Sequence, residues 1–126
     1  MKKNRIVIGT RKSKLALIQT HQVRDLLCAQ WPSLEVEVKH IVTKGDKILD
    51  VPLAKIGDKG LFTKELENAL LSGEADIAVH SYKDLPTKFP DGLCAGVVMK
   101  RVPNDDALIA PKGTTLENLK KGARVG

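Results

Sequence analysis

Aromatic side chains are scarce in this chain. Trp31, Phe62, Tyr82 and Phe89 are the only four among 126 residues, too scattered to make the stacking platform that single-stranded nucleic acid requires. Cysteine is scarcer still. Cys28 and Cys94 lie far apart without metal-ligand spacing, and their apolar surroundings predict buried free thiols rather than a disulfide. His21 and His40 are isolated, so no metal site is expected. No apolar run approaches the ~20 residues of a membrane span. The start, Met-Lys-Lys-Asn-Arg5, carries too few apolar residues before Gly9 for a secretory core of roughly 7–15, so a cytoplasmic protein without signal peptide is expected. Internal repeats and low-complexity segments are absent.

What is present is ordinary for one globular domain: 42% apolar and 29% charged residues. The net charge of +6 asks for an anionic partner. Lysines are dispersed, with Lys2-Lys3 and Lys120-Lys121 the only adjacent pairs, and no zinc-finger or RNA-binding signature appears. Small acidic molecules therefore fit the charge better than nucleic acid.

Strand and helix signals alternate, which predicts an α/β fold. Arg5–Ile8 reads as a strand. A helix over about 14–30 is capped by Ser13 and ended by Trp31-Pro32, with Leu15, Ile18, Val23 and Leu26 expected inward. Glu35–Val42 alternates charge with valine, as a strand with one exposed face does. Residues 43–59 form a long Gly-, Lys- and Asp-rich stretch, expected to be a mobile functional loop. Leu61–Leu71 reads as a helix with Phe62, Leu66, Ala69 and Leu70 inward, closed by Ser72-Gly73. Further strands are expected at 76–80, Leu93–Met99 and Asp106–Ala110. A short helix from Thr114 or Thr115 to Lys121 and the beginning of another strand at Ala123–Gly126 complete the pattern.

Two clusters carry chemistry. Asp76-Ile-Ala-Val-His-Ser-Tyr-Lys-Asp-Leu-Pro86 is an apolar strand that empties into a hydroxyl, an ammonium and a carboxylate, the way open α/β sheets build ligand sites. The competing reading is that Ser81 and Asp84 only shape a turn. Gly9-Thr-Arg-Lys-Ser13 joins a strand to a helix start, where free N–H groups favour an anion and Arg11 can grip a carboxylate. Its competing reading is plain capping beside a solvated basic turn. A hydrolase reading of His80 and Ser81 is rejected, because neighbours on a strand point to opposite faces.

These clusters occur in order with Thr10-Arg-Lys-Ser-Lys-Leu-Ala-Leu17, Thr43-Lys-Gly-Asp46, Leu53-Ala-Lys-Ile-Gly-Asp-Lys-Gly-Leu-Phe62 and Lys64-Glu-Leu-Glu67. From about Arg5 to Gly126 the chain resembles the N-terminal portion of the porphobilinogen deaminase (hydroxymethylbilane synthase) family. The resemblance implies a lobe of periplasmic-binding-protein-like architecture. Residues 1–99 would be most of domain 1, 100–104 a hinge and 105–126 the beginning of a truncated domain 2. A segment that returns to domain 1 and a third domain are then missing, which predicts an unpaired sheet edge, exposed apolar surface and a tendency to associate.

The implied reaction joins four porphobilinogen molecules head to tail with loss of ammonia, giving hydroxymethylbilane for tetrapyrrole and haem synthesis. Losing the amine leaves a cationic pyrrole, and Asp84 matches the carboxylate that stabilises it. Arg11, Ser13, Ser81, Lys83 and Gln19 match groups that hold the carboxylates of substrate and cofactor. Lys83 and Asp84 as a surface ion pair, and Gln19 as an exposed helix residue, are the competing readings. Asp46, Lys55, Lys59 and Phe62 resemble mobile-loop residues; for Lys55 a plain surface charge, and for Phe62 a core role, compete.

The expected cofactor is dipyrromethane, whose attachment cysteine in the family lies beyond Gly126; neither Cys28 nor Cys94 matches it. Porphobilinogen and the growing polypyrrole chain are the expected partners, with no nucleic acid, no membrane and a monomeric intact enzyme. The 126 residues alone are expected to be inactive. The rival from a different class is a non-catalytic small-anion binding module, against which a carboxylate at the site's centre argues.

Overall fold

A computed structural model describes residues 4–48 and 60–125. Two units divide the chain, Met1–Gly96 and Val97–Gly126, and each stands by itself below.

In the first unit, β1 (Arg5–Thr10), α1 (Lys14–Gln30), β2 (Glu35–His40), α2 (Lys44–Lys47), α3 (Lys64–Leu71) and β3 (Ile77–Ala78) follow in order. The sheet has order β2-β1-β3 with both pairings parallel. Arg5 pairs with Glu35 through to Thr10 with His40, and Ile8 and Gly9 pair with Ile77 and Ala78. Central β1 is thus bonded on both sides, and its Ile8 is fully buried. Strand alternation sends successive β1 side chains to opposite faces. Thr10 meets Thr20 of α1 through an Oγ1–Oγ1 hydrogen bond of 2.8 Å. Gly9 turns the other way, where a Cβ would stand 3.1–3.5 Å from Ile41, Ala75 and Leu66. Helices α1 and α3 therefore cover opposite faces, as parallel crossovers on either side of β1 require.

Helix α1 begins and ends where its caps predict. Ser13 Oγ accepts the Ala16 N–H and Trp31 N–H closes the last turn on the Leu27 carbonyl. Its rotation differs from expectation. The sheet-facing line is Ala16, Thr20, Val23 and Leu27, whereas Leu15, Ile18 and Leu26 are exposed. Apolar residues occupy so wide an arc that periodicity leaves the inward line open. The Thr10–Thr20 bond and the Ser13 cap mark the line that faces the sheet. In α3 the inward pair Leu66 and Ala69 is buried, as predicted, while Phe62 and Leu70 are only partly covered. Helix α3 starts at Lys64 rather than Leu61, after a turn at Gly60 with φ +86°. Gly73, φ +74°, follows the Ser72 cap, as glycine does past a helix end.

Three further expectations do not hold. In the stretch from Thr43, placed in a loop, Lys44–Lys47 form a one-turn helix that Thr43 caps in a reciprocal capping box with Asp46. Both cysteines are exposed rather than buried. The strand expected at Leu93–Met99 is absent, since none of these residues joins a ladder.

The second unit contains neither helix nor strand among its described residues. The Asp106–Ala110 strand does not form because no neighbouring segment pairs with it; a strand is a pairing before it is a propensity. The helix expected to end at Lys121 is replaced by turns. Asn118 Oδ1 takes the Thr115 N–H at 2.8 Å and Asn118 Nδ2 donates to the Gly113 carbonyl at 2.8 Å. Such local bonds compete with helix in a segment too short to nucleate alone. Ala123–Val125 is irregular.

Candidate functional site

Because β1 leads through α1 to β2 on one side while β3 returns on the other, a crevice opens beyond the carboxyl ends of β1 and β3. That switch point is where open α/β sheets bind ligands. The crevice is a cleft of about 260 Å³. Arg11 and Ser13 reach it from the end of β1, and Gln19 from α1. Ser81, Lys83 and Asp84 arrive from the end of β3, and Phe62 from the approach to α3. Leu15, Ala16 and Val79 supply its apolar surface.

Local geometry explains the convergence. Pairing of β3 with β1 stops after Val79, whose N–H lies 3.4 Å from the Gly9 carbonyl. Ser81 then opens a 3-10 turn at Tyr82–Asp84, with Asp84 N–H donating to the Ser81 carbonyl at 2.9 Å. Side chains three apart eclipse in such a turn, so Ser81 and Asp84 share the cleft side and Tyr82 is exposed. Pro86 follows where the ladder has already ended.

Ser81 Oγ donates to Gln19 Oε1 at 3.1 Å, which ties α1 to the β3 exit and, among the described residues, leaves the Gln19 Nε2 hydrogens for a ligand. Ser13 uses a lone pair for its cap and keeps its hydroxyl hydrogen. The side chains of Lys83 and Asp84 make no ion pair with each other or with any other described residue, so the surface-pair reading does not hold.

Arg11 is occupied in a way its sequence position does not show. Its Nε lies 3.0 and 3.2 Å from the two Asp46 carboxylate oxygens, and its Nη2 donates to Oδ1 at 2.5 Å. Its Cζ stands 4.1 Å from the Phe62 ring centroid, a cation–π contact. Asp46, expected in a mobile loop, is therefore pinned inside α2. Burial by itself raises the Asp46 pKa, but hydrogen bonds from Arg11 and Thr43 and the Arg11 charge outweigh this and hold it below 3.8. Lys55 and Lys59 fall outside the described residues.

His80 shares the cleft with Ser81, since the strand alternation used against a serine–histidine pair ends at Ala78. The hydrolase reading fails instead because the Ser81 hydroxyl is directed at Gln19. Burial pushes His80 below 6.5; the Asp84 and Glu67 carboxylates pull it back in part, and Arg11 adds to the lowering. Sequence reasoning also missed Gly45, where a Cβ would lie 2.3 Å from the Phe62 ring. A lone glycine between Lys44 and Asp46, in a stretch that reads as loop, was its only signal. Among the described residues no cluster of His, Cys, Asp and Glu suits a metal ion, and no helix is long and apolar enough to cross a membrane.

Fold and site together define an α/β domain with a switch-point cleft that offers both cationic donors and a carboxylate. Residues 6–126 match the family model described as porphobilinogen deaminase, dipyromethane cofactor binding domain. Similar relatives include porphobilinogen deaminases of Aliarcobacter butzleri (57% identical over 97% of this chain and 39% of the relative) and Campylobacter fetus (59% over 96% and 39%). The Dictyostelium discoideum protein of that name is 52% identical over 99% of this chain and 40% of its own length. The chain belongs to the porphobilinogen deaminase family. It spans about two-fifths of the length of these curated relatives.

Proposed function

We propose that this chain provides part of the active cleft of a hydroxymethylbilane synthase, which joins four porphobilinogen molecules head to tail with loss of four ammonia molecules. The observation that carries this is the meeting, in one cleft, of the Asp84 carboxylate with the Arg11, Ser13, Gln19 and Lys83 donors. Carboxylate-bearing pyrroles need both. Cationic and hydroxyl donors take their acid arms, and a fixed carboxylate accepts the ring N–H and faces the positive charge that develops as the amine departs. An anion receptor has no use for Asp84 at that place, and the family counts against that reading.

The same donor set suits dipyrromethane, itself a pair of carboxylate-bearing pyrroles. Arg11, Ser13 and Lys83 would hold its carboxylates and Asp84 its ring N–H groups. When bound, the group supplies an electron-rich pyrrole carbon for the first carbon–carbon bond. The Asp84 carboxylate faces the substrate's cation, Lys83 neutralises acid arms, and Leu15, Ala16 and Val79 keep water from part of the ring surface.

The rest of the proposal follows the resemblance. The sheet is the beginning of a periplasmic-binding-protein-like lobe. Residues 1–99, 100–104 and 105–126 belong to a first domain, a hinge and a second domain. The complete enzyme is a cytoplasmic monomer, and these 126 residues alone do not turn over. The test is incubation of the complete gene product with porphobilinogen, following ammonia release and formation of a linear tetrapyrrole. Release of both in stoichiometric proportion is expected; binding of porphobilinogen without either product leaves the receptor reading standing.

A further inference from the structure

We propose that Asp46 is a positioning residue for Arg11: with Phe62 it fixes which edge of the guanidinium meets a ligand carboxylate. The fork edge of Arg11, Nε and Nη2, is spent on Asp46 at 2.5–3.2 Å. One face of the guanidinium is covered by Phe62. Among the described residues nothing else takes the terminal edge, Nη1 with the outer hydrogen of Nη2, so Arg11 grips an acid arm end-on.

Asp46 does not behave as an exchangeable stand-in for a ligand. Its Oδ2 also accepts the Thr43 N–H at 3.2 Å and the Thr43 hydroxyl at 2.7 Å. The Arg11 and Asp46 side chains are 19% and 22% exposed. Pulling Arg11 away would leave a largely desolvated carboxylate with half its donors gone, which costs more than one ligand contact returns. Gly45 completes the arrangement. Its missing Cβ admits the Phe62 ring, and its N–H donates to the Leu61 carbonyl at 2.8 Å, docking α2 against the residues before α3. The wall Asp46–Arg11–Phe62 is thus built from three separate segments and held rigid before any ligand arrives, which lowers the ordering cost of binding.

The inference rests on the proposed deaminase reading for its substrate only. Its test uses the complete holoenzyme with D46N, D46E, R11Q, D46N/R11Q and F62L. D46N should raise the KM for porphobilinogen about tenfold with kcat changed less than about threefold. D46E should recover part of that, and D46N should add nothing in the R11Q background. F62L, which keeps every charge, should raise KM by a smaller factor and stands in if D46N does not fold.

A readout independent of turnover is the Arg11 Nε–H resonance, assigned by its loss in R11Q. It should exchange slowly with solvent in wild type and rapidly in D46N. A tenfold KM effect of D46N that persists in R11Q overturns the proposal, because Asp46 then acts on its own. So does an unchanged KM or an unchanged Nε–H exchange rate in folded D46N. If wild type does not turn over porphobilinogen, the deaminase reading fails, and the exchange rates alone decide whether Asp46 positions Arg11.

Discussion

Arg5–Thr10 and Asp106–Ala110 are both short stretches with adjacent apolar residues, yet one is a central strand and the other is unstructured. Ile8 is fully buried between two parallel neighbours, while Ile109 is 98% exposed. The contrast extends to the units that hold them. Among its described residues the first has three paired strands, covered on both faces and leading into a polar cleft. The second has turns at Gly113 and Gly122 and exposed Val102, Leu108 and Leu116. Apolar content does not separate the two; available partners do. A segment whose backbone N–H groups find no ladder leaves them to water or to local side chains, as Asn118 shows.

The comparison can be broken most severely at the cleft, where function should fail without the fold. In the complete enzyme, Asp84→Asn should reduce turnover roughly a thousandfold. A full charge about 4 Å from the developing cation, at an effective dielectric of ~20, contributes about 4 kcal/mol. Near-normal turnover by a folded variant rules out that role. Next in size is the core of the first unit. Leu66→Ala should cost about 2–5 kcal/mol in chemical denaturation, since Leu66 is almost wholly buried and packs beside Gly9.

Two acid-linked effects are smaller. The Asp46 pKa is depressed in the folded state, so its stabilisation is present above 3.8 and lost as pH falls through the folded value. Melting curves of wild type and D46N should therefore differ at neutral pH and converge under strong acid. The His80 pKa is also depressed, so its contribution is present above 6.5 and fades as pH falls through the folded value. H80N should flatten the stability profile just below pH 6.5; an unchanged slope there removes His80 from the linkage.

The smallest change belongs to the second unit. Ile109→Ala in the 126-residue chain should alter stability by less than about 0.5 kcal/mol, and amides in 97–125 should exchange far faster than those of β1. Slow exchange at 106–110 would mean that this stretch is paired after all.

Local signals announced much of the first unit because they act within a few residues. Ser13 caps its helix through the Ala16 N–H three residues on. Trp31-Pro32 ends that helix, and the apolar run at Ile77 enters a strand whose exit carries Ser81, Lys83 and Asp84. The rotation of α1 was not legible, because apolar residues cover so much of its circumference. The Arg11–Asp46 pair, 35 residues apart, carries no local signature either. Nor could the buried place of Gly45 beneath Phe62 be read from a stretch that looks like loop.

By itself, then, the sequence determined where strands and helices can begin and stop, and which polar groups sit at the strand exits. Capping, turn chemistry and the two-residue period are short-range forces. Tertiary structure alone decided which apolar stretches became strands, which line of α1 met the sheet, and that Arg11 is held by Asp46 and Phe62. Each of these depends on groups distant in sequence, whose attraction exists only once folding has brought them together.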